Sequence, residues 1–365
     1  MASEIKYWLG LGQVEGIGRI TYKALIDELK EPGAVFEASE KRIEQIQCIG
    51  KKVASAIKSF NDWGWVEKET ALIEKHKVKF LTMRDTDYPD ALRSMPDPPP
   101  YLYVKGTIGK EDNNAVAIVG TRNPTQYGVT ATENLSRALA GAGITIVSGM
   151  ARGIDSVAHM GAIAGNGRTI AVLGSGIDVI YPPENKKLYE DIAANGAVVS
   201  EFPFGTKPVA TNFPQRNRII SGLVKGVLVI EASEKSGSLI TAQLALDYGR
   251  DVFALPGNTT SFKSKGTNKL IKNGAKLVED AGDILEEMAI SVEAGLKSAS
   301  TITIPPNLSP EEGKIITLLD EPCFIDTIIQ KTGLPAAKIS ALLLDMELKG
   351  LVKQQAGKQF VRRNG

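Results

Sequence analysis

The chain has 365 residues, with 43 basic against 42 acidic side chains and 43% hydrophobic content. That length exceeds one ordinary core and suggests two or three domains, and the balanced charge means that any bound anion must be met by local cations rather than by an overall field. Cys48 and Cys323 stand far apart without partner cysteines, against a disulfide framework or a cysteine zinc site. No apolar run reaches membrane-spanning length, and the opening M-A-S-E-I-K-Y-W-L-G-L lacks a basic start followed by a long apolar stretch. A reducing, cytoplasmic setting without membrane contact is expected.

Residues 1–75 read as helices with polar breaks. Within them V-E-G-I-G-R-I-T-Y-K-A-L and I-Q-C-I-G-K-K-V-A-S-A-I share a spacing of apolar residue, tight turn and amphipathic helix start. This predicts a helical domain of the helix-hairpin-helix or SAM-like kind, whose hairpins can offer backbone N–H groups to a phosphate. Cys48 replaces the first glycine of the second copy, and the segment carries 11 basic against 12 acidic residues. A cationic footprint is missing, so a packing module and a DNA-binding module both stand. In residues 76–114 the run D-P-P-P-Y-L-Y-V-K-G forces extended backbone, as an ordered connector leading into a sheet would have.

From 115 to 288 short β-branched runs alternate with helical segments: V-A-I-V-G, T-I-V-S-G, T-I-A-V-L-G, A-V-V-S-E-F, G-V-L-V-I-E-A and D-V-F-A-L-P-G. Runs apolar almost throughout suit strands covered on both faces. They predict a Rossmann-like, doubly wound α/β domain with a mainly parallel sheet, which binds ligands at the carboxyl ends of its strands. Residues 289–306 have the composition of a linker. Residues 307–365 predict a winged helix, three helices and a hairpin turning at Gly357, with eight basic against seven acidic residues. That balance is weak for a duplex groove, so a protein contact or a structural part stands beside it.

The predicted strand ends carry the chemistry. They give Gly120-Thr121-Arg122, then Ser148-Gly149 running to Arg152-Gly153 and Asp155, then Gly174-Ser175-Gly176; a later turn, Ser236-Gly237-Ser238, opens a helix. Glycine turns at helix starts present backbone N–H groups to oxyanions. With Arg122, Arg152 and the pair in N-F-P-Q-R-N-R-I-I-S-G-L, they describe a groove for several phosphates. In that stretch residues two apart on a helix point about 200° from each other, so Arg216 is expected to be partly buried and paired. Arg218 is expected to face that groove, together with Gln215, Asn217 and Ser221, with the rings of Phe213 and Tyr181 beside them. A G-x-G-x-x-G dinucleotide turn after the first strand, a P-loop and a nucleophile–base pair are all missing. His159, among apolar helical neighbours, reads as a packing histidine. The residues call for neither catalysis nor a metal or cofactor.

V-G-T-R, S-G-M-A-R-G-I-D-S-V-A-H, G-S-G-I-D-V-I-Y-P-P-E-N, F-P-Q-R-N-R-I-I-S-G-L, S-G-S-L-I-T-A-Q-L-A-L-D-Y-G-R and L-P-G-N follow one another here in the order and spacing of the bacterial DNA-processing family DprA, also called Smf. The resemblance spans the whole α/β segment and extends to both helical flanks. It implies a single-stranded-DNA-binding recombination mediator that protects incoming strands in natural transformation and loads RecA onto them. It places Arg122 on the family's DNA-contacting arginine. It also implies a homodimer through the α/β domain, with Asn268 and Leu277 as contacts. Two other readings stay open. One is a nucleotide-processing enzyme of the Rossmann-like group that includes phosphoribohydrolases, for which Glu231 in E-A-S-E-K-S-G-S-L is the available carboxylate. The other is an adaptor acting through its helical ends.

Overall fold

The structure is a computed structural model that describes residues 2–288 and, between 309 and 362, all but 317, 320–322, 349, 350 and 356–358. The predicted linker 289–306 falls wholly outside the described residues, as does Gly357. The chain divides into two compact units near residue 295.

The first unit opens with six helices, α1 (Ala2–Gln13), α2 (Arg19–Leu29), α3 (Pro32–Glu37), α4 (Glu40–Glu44), α5 (Lys51–Ser59) and α6 (Trp63–Lys75). The two similar segments do form matching hairpins. Gly16 has φ +86° and Cys48, at the equivalent place, φ +67°, so the degenerate copy keeps the left-handed turn that glycine adopts more readily. Each hairpin leads into a helix, α2 after Gly18 and α5 after Gly50, whose first turn has no side-chain cap.

Next come β1 (Lys79–Thr82), α7 (Asp90–Arg93) and β2 (Tyr101–Gly106), then β3 (Ala115–Val119), α8 (Gln126–Gly141), β4 (Thr145–Ser148), α9 (Ile154–Ala164) and β5 (Thr169–Val172). The unit continues with α10 (Lys186–Ala194), β6 (Gly196–Ser200), α11 (Asn212–Leu223), β7 (Gly226–Val229), α12 (Gly237–Asp247) and β8 (Asp251–Ala254), and closes with α13 (Lys265–Lys272), β9 (Lys276–Leu277) and α14 (Ala281–Glu287). All nine strands form one sheet in the order β1-β2-β6-β5-β4-β3-β7-β8-β9. Pairing is parallel from β6 through to β9, and antiparallel where β2 meets β6 and β1 meets β2. The six runs read as strands are β3 to β8, buried on both faces except at Asp251.

Two boundaries differ from expectation. Residues 76–114 do more than lead into the sheet, because they supply its strands β1 and β2. The helices of residues 1–75 lack a core of their own: Trp8, Leu25 and Ile57 belong to one apolar cluster with Tyr103 of β2, Val119 of β3 and Val229 of β7. Glu69 of α6 seals the contact, accepting from Tyr103 Oη at 2.7 Å and from Phe204 N at 2.9 Å. A fragment cut at residue 115 would therefore expose the edge of β6 and one apolar face of the sheet. The opposite face is covered by α8, α9 and α14, around Leu139, Ile154 and Ile284.

The second unit holds α15 (Pro310–Ile316), β10 (Cys323–Phe324), α16 (Ile325–Thr332), α17 (Ala336–Leu348), β11 (Val352–Gln355) and β12 (Gln359–Arg362), with a sheet ordered β10-β12-β11. It has its own core around Ile315, Leu343 and Phe360 and is a winged helix.

Candidate nucleic-acid interface

The strand order reverses at β3, which pairs with β4 on one side and with β7 on the other. In open α/β sheets the crevice beyond the carboxyl ends at such a point receives ligands. Three loops meet there and lace together. Thr121 N donates to Glu231 O at 2.8 Å, and Ile154 N donates to Thr121 O at 3.2 Å. Gly153, at φ +79°, lies so close that a Cβ would sit 2.5 Å from Thr121 O, a position only glycine can hold. Glu231 is buried and accepts from Thr125 N and Oγ1 at 2.9 and 2.5 Å, which ties the loop after β3 to the loop after β7.

Over these loops lies a groove of about 640 Å³ lined by Gly120, Thr121, Arg122, Asp155, Tyr181, Phe213, Arg216, Asn217 and Ser236 to Ser238, with Pro208, Ala210, Ile220 and Ile240 among its walls. Phe213 has two cationic neighbours, with Arg122 Cζ 5.1 Å and Arg216 Cζ 5.9 Å from its ring centroid. The Tyr181 ring lies 6.0 Å from that of Phe213. Arg122 is exposed. Arg216, only 4% exposed, donates from Nη1 to Gly149 O at 2.7 Å and to Val172 O. It fits because residue 149 has no side chain: a Cβ there would stand 2.3 Å from Nη1.

Burial lowers Arg216 to about 10, against the opposing pull of Asp155, so it stays charged at neutral pH. Burial likewise raises the Asp155 carboxyl, against Arg216 and the N–H groups of Ala151 and Gly149. At the far wall α12 starts at Gly237, which is exposed with open space around its Cα. Two guanidinium groups, a helix N-terminus and two aromatic rings suit phosphates and bases together.

Several residues expected at this site lie elsewhere. Arg218 is 3% exposed; it pairs with Glu201, donates from Nη1 to Asp97 O at 2.7 Å and has Nε 3.7 Å from Asp97 Oδ2. The expectation failed because α11 is covered on its far side too: a Cβ on Gly222 would strike Met95 and Leu92. Ser221 is buried and donates to Thr241 O at 2.8 Å. Ser148 is buried and donates to Ile118 O at 2.6 Å. Gly149 and Gly174 lie under Arg216 and Phe213 as floor positions. Ser175 and Gly176 are closed off by bonds to Val179 O at 2.7 Å and Thr206 O at 2.9 Å. Arg152 is exposed but paired with Glu184. Gln215 lines a second groove with Gly16 to Thr21.

Of the two residues carried over as dimer contacts, Leu277 is 41% exposed on β9, the last strand of the sheet. Asn268 is half-buried, its amide bridging Gly257 N and O at 3.2 and 2.9 Å. The groove walls Pro208, Ala210 and Ile240 escaped sequence reasoning, since small and apolar residues carry no chemical signature.

His159 is wholly buried, with Nδ1 2.7 Å from Thr169 Oγ1. Because that hydroxyl donates to Ile146 O at 2.7 Å, Nδ1 carries the proton. Burial lowers the imidazole to about 3 and keeps it neutral, as a packing histidine. Among the described residues there is no cluster of three or more His, Cys, Asp or Glu that could hold a metal, and no helix is long and apolar enough to cross a membrane.

Comparison with known proteins places this architecture. Residues 79–289 match the family described as DNA recombination-mediator protein A, and residues 300–358 match the DprA winged helix domain. Protein Smf of Synechocystis is 37% identical over 99% of each chain. The X-ray structure of DprA from Streptococcus pneumoniae superposes with a TM-score of 0.68 at 36% identity, covering 77% of this chain and 97% of that one. The Helicobacter pylori protein, described by its single-stranded DNA binding mode, gives 0.52 at 34% identity over 61% and 98%. With a family match across the whole sheet and a relative aligned nearly end to end, this chain belongs to the DNA recombination-mediator protein A family, the DprA or Smf proteins.

Proposed function

We propose that the protein binds single-stranded DNA, with little regard to sequence, in the groove over β3, β4 and β7. There it protects incoming strands and presents them to RecA during natural transformation. The observation that carries this reading is the meeting of Arg122 and Arg216 over the ring of Phe213 at the point of strand reversal, one cation exposed and the other buried. Backbone tracking by cations together with stacking on rings is how single strands are held without sequence readout. The DNA-binding mode described for the Helicobacter pylori relative supports the same guest. A homodimer formed at the β9 edge would set two grooves on one assembly. The end of the sheet and its exposed Leu277 support that reading, since an unpaired edge is a template for a second chain.

The test is a titration of the whole chain with a fluorescent thymidine oligonucleotide, followed by unlabelled competitors. Unlabelled single strand should displace the probe, whereas a nucleoside monophosphate in large excess should not. Displacement by the mononucleotide would instead support the nucleotide-processing reading, and no binding at all would sink the proposal.

A further inference from the structure

The segment after β8 lies outside the groove lining but is joined by three hydrogen bonds to the loops that carry it. Ala232 N donates to Lys263 O and Gly266 N to Ala232 O, both at 2.8 Å. Lys263 Nζ donates to Asn123 O, beside Arg122, at 2.5 Å. Asn268 brackets Gly257 at the start of the same loop. Within this anchored segment Phe262 is 66% exposed.

A single exposed apolar side chain is ordinary on a protein surface. The setting of Phe262 is less so. It has no polar atom to gain from water, its neighbour Lys263 is held through its carbonyl by Ala232 N, and the Lys263 ammonium reaches across to the residue next to the groove's exposed arginine. The two turns joined here, 232–236 and 262–266, carry Lys235, Lys263 and Lys265 against Glu234, so their charge attracts a phosphate backbone. β8 lies two strand positions from β3, about 10 Å along the sheet edge.

We propose that Phe262 is a second stacking platform, receiving a base of the same single strand a few nucleotides beyond the phosphate at Arg122. The strand would then run along the carboxyl edge of the sheet, from Tyr181 and Phe213 over Arg122 toward β8. This rests on the groove being the single-strand site. It adds to that reading a direction of travel and a residue that holds bases rather than phosphates.

Stacking and charge leave different signatures. Base–aromatic stacking is lost on truncation to alanine at a cost that corresponds to at least about fivefold in affinity. The salt dependence, by contrast, counts neutralised phosphates. On a thymidine oligonucleotide long enough to cross both loops, Phe262→Ala should weaken binding about fivefold or more with an unchanged salt slope, and Phe262→Trp should restore it. The introduced tryptophan should also lose emission as DNA is added, relative to the parent chain.

Light scattering on each variant should give the parent's mass. If wild type binds and Arg122→Ala weakens it while Phe262→Ala binds as wild type, the platform is refuted and the groove stands. If Phe262→Ala changes the mass, Phe262 is a contact between copies and the proposal fails. If Arg122→Ala and wild type bind alike, the groove reading itself has failed.

Discussion

Arg218→Ala should unfold well below the parent protein while a folded sample binds single-stranded DNA about as well. Arg218 is charged and almost fully enclosed; it is paired with Glu201, bonded to Asp97 O and close to the Asp97 carboxylate. Asp97 in turn holds Arg19 of α2 at 3.4 Å and accepts from Tyr248 Oη at 3.2 Å. The arginine thus joins the N-terminal helices, the chain before β2, the end of β6 and α12. Removing one partner from a buried pair leaves the other charge without compensation and typically costs about 3–5 kcal/mol. For a unit of this size that lowers melting by on the order of 10 °C. Thermal melting and a strand titration well below the transition check it. Unchanged melting with weakened binding would return Arg218 to the groove.

Arg216→Ala should lose both. Truncation deprives Gly149 O of its buried donor and Asp155 of the cation beside it, again about 3–5 kcal/mol. It also removes a guanidinium 5.9 Å from the Phe213 ring centroid, so the ring loses one of its two cationic neighbours. Strand affinity should fall even in folded protein. Arg216→Lys should not rescue it, because an ammonium on a flexible stem is a point charge and cannot replace a planar fork in this slot. The two arginines are thereby separable: melting falls in both variants, but binding falls only at Arg216. Full affinity in a folded Arg216→Ala protein would mean that the groove does not use its interior cation.

The sheet was legible because parallel strands covered on both faces must be apolar almost throughout, as V-A-I-V-G and G-V-L-V-I-E-A are. The exposure of Arg122 was legible because a cation two residues past a glycine at a strand end has little to pack against. Arg216 followed from helical geometry, since α11 is indeed a helix across Asn212–Leu223. Arg218 did not, because a helical wheel shows which residues are opposite one another but not how many faces are covered. The layer over α11 comes from Leu92 and Met95, more than a hundred residues away in sequence. The same non-local packing hid β1 and β2: K-F-L-T is four residues long, and Y-L-Y-V-K-G follows a proline run that reads as a connector. The glycine turn at Gly174 to Gly176 looked like its neighbours in sequence, yet Pro203 and Thr206 close it.

The central claim is that the groove at the strand reversal holds the phosphates of a single strand. Its most direct test is the salt dependence of binding in Arg122→Ala. Arg122 is exposed, so its loss should leave melting near that of the parent. Single-strand affinity falls with a slope of about −0.7 per neutralised phosphate on a log–log salt plot. The variant should therefore bind more weakly, with a slope flatter by about 0.7. The same slope and the same affinity as the parent would contradict the account.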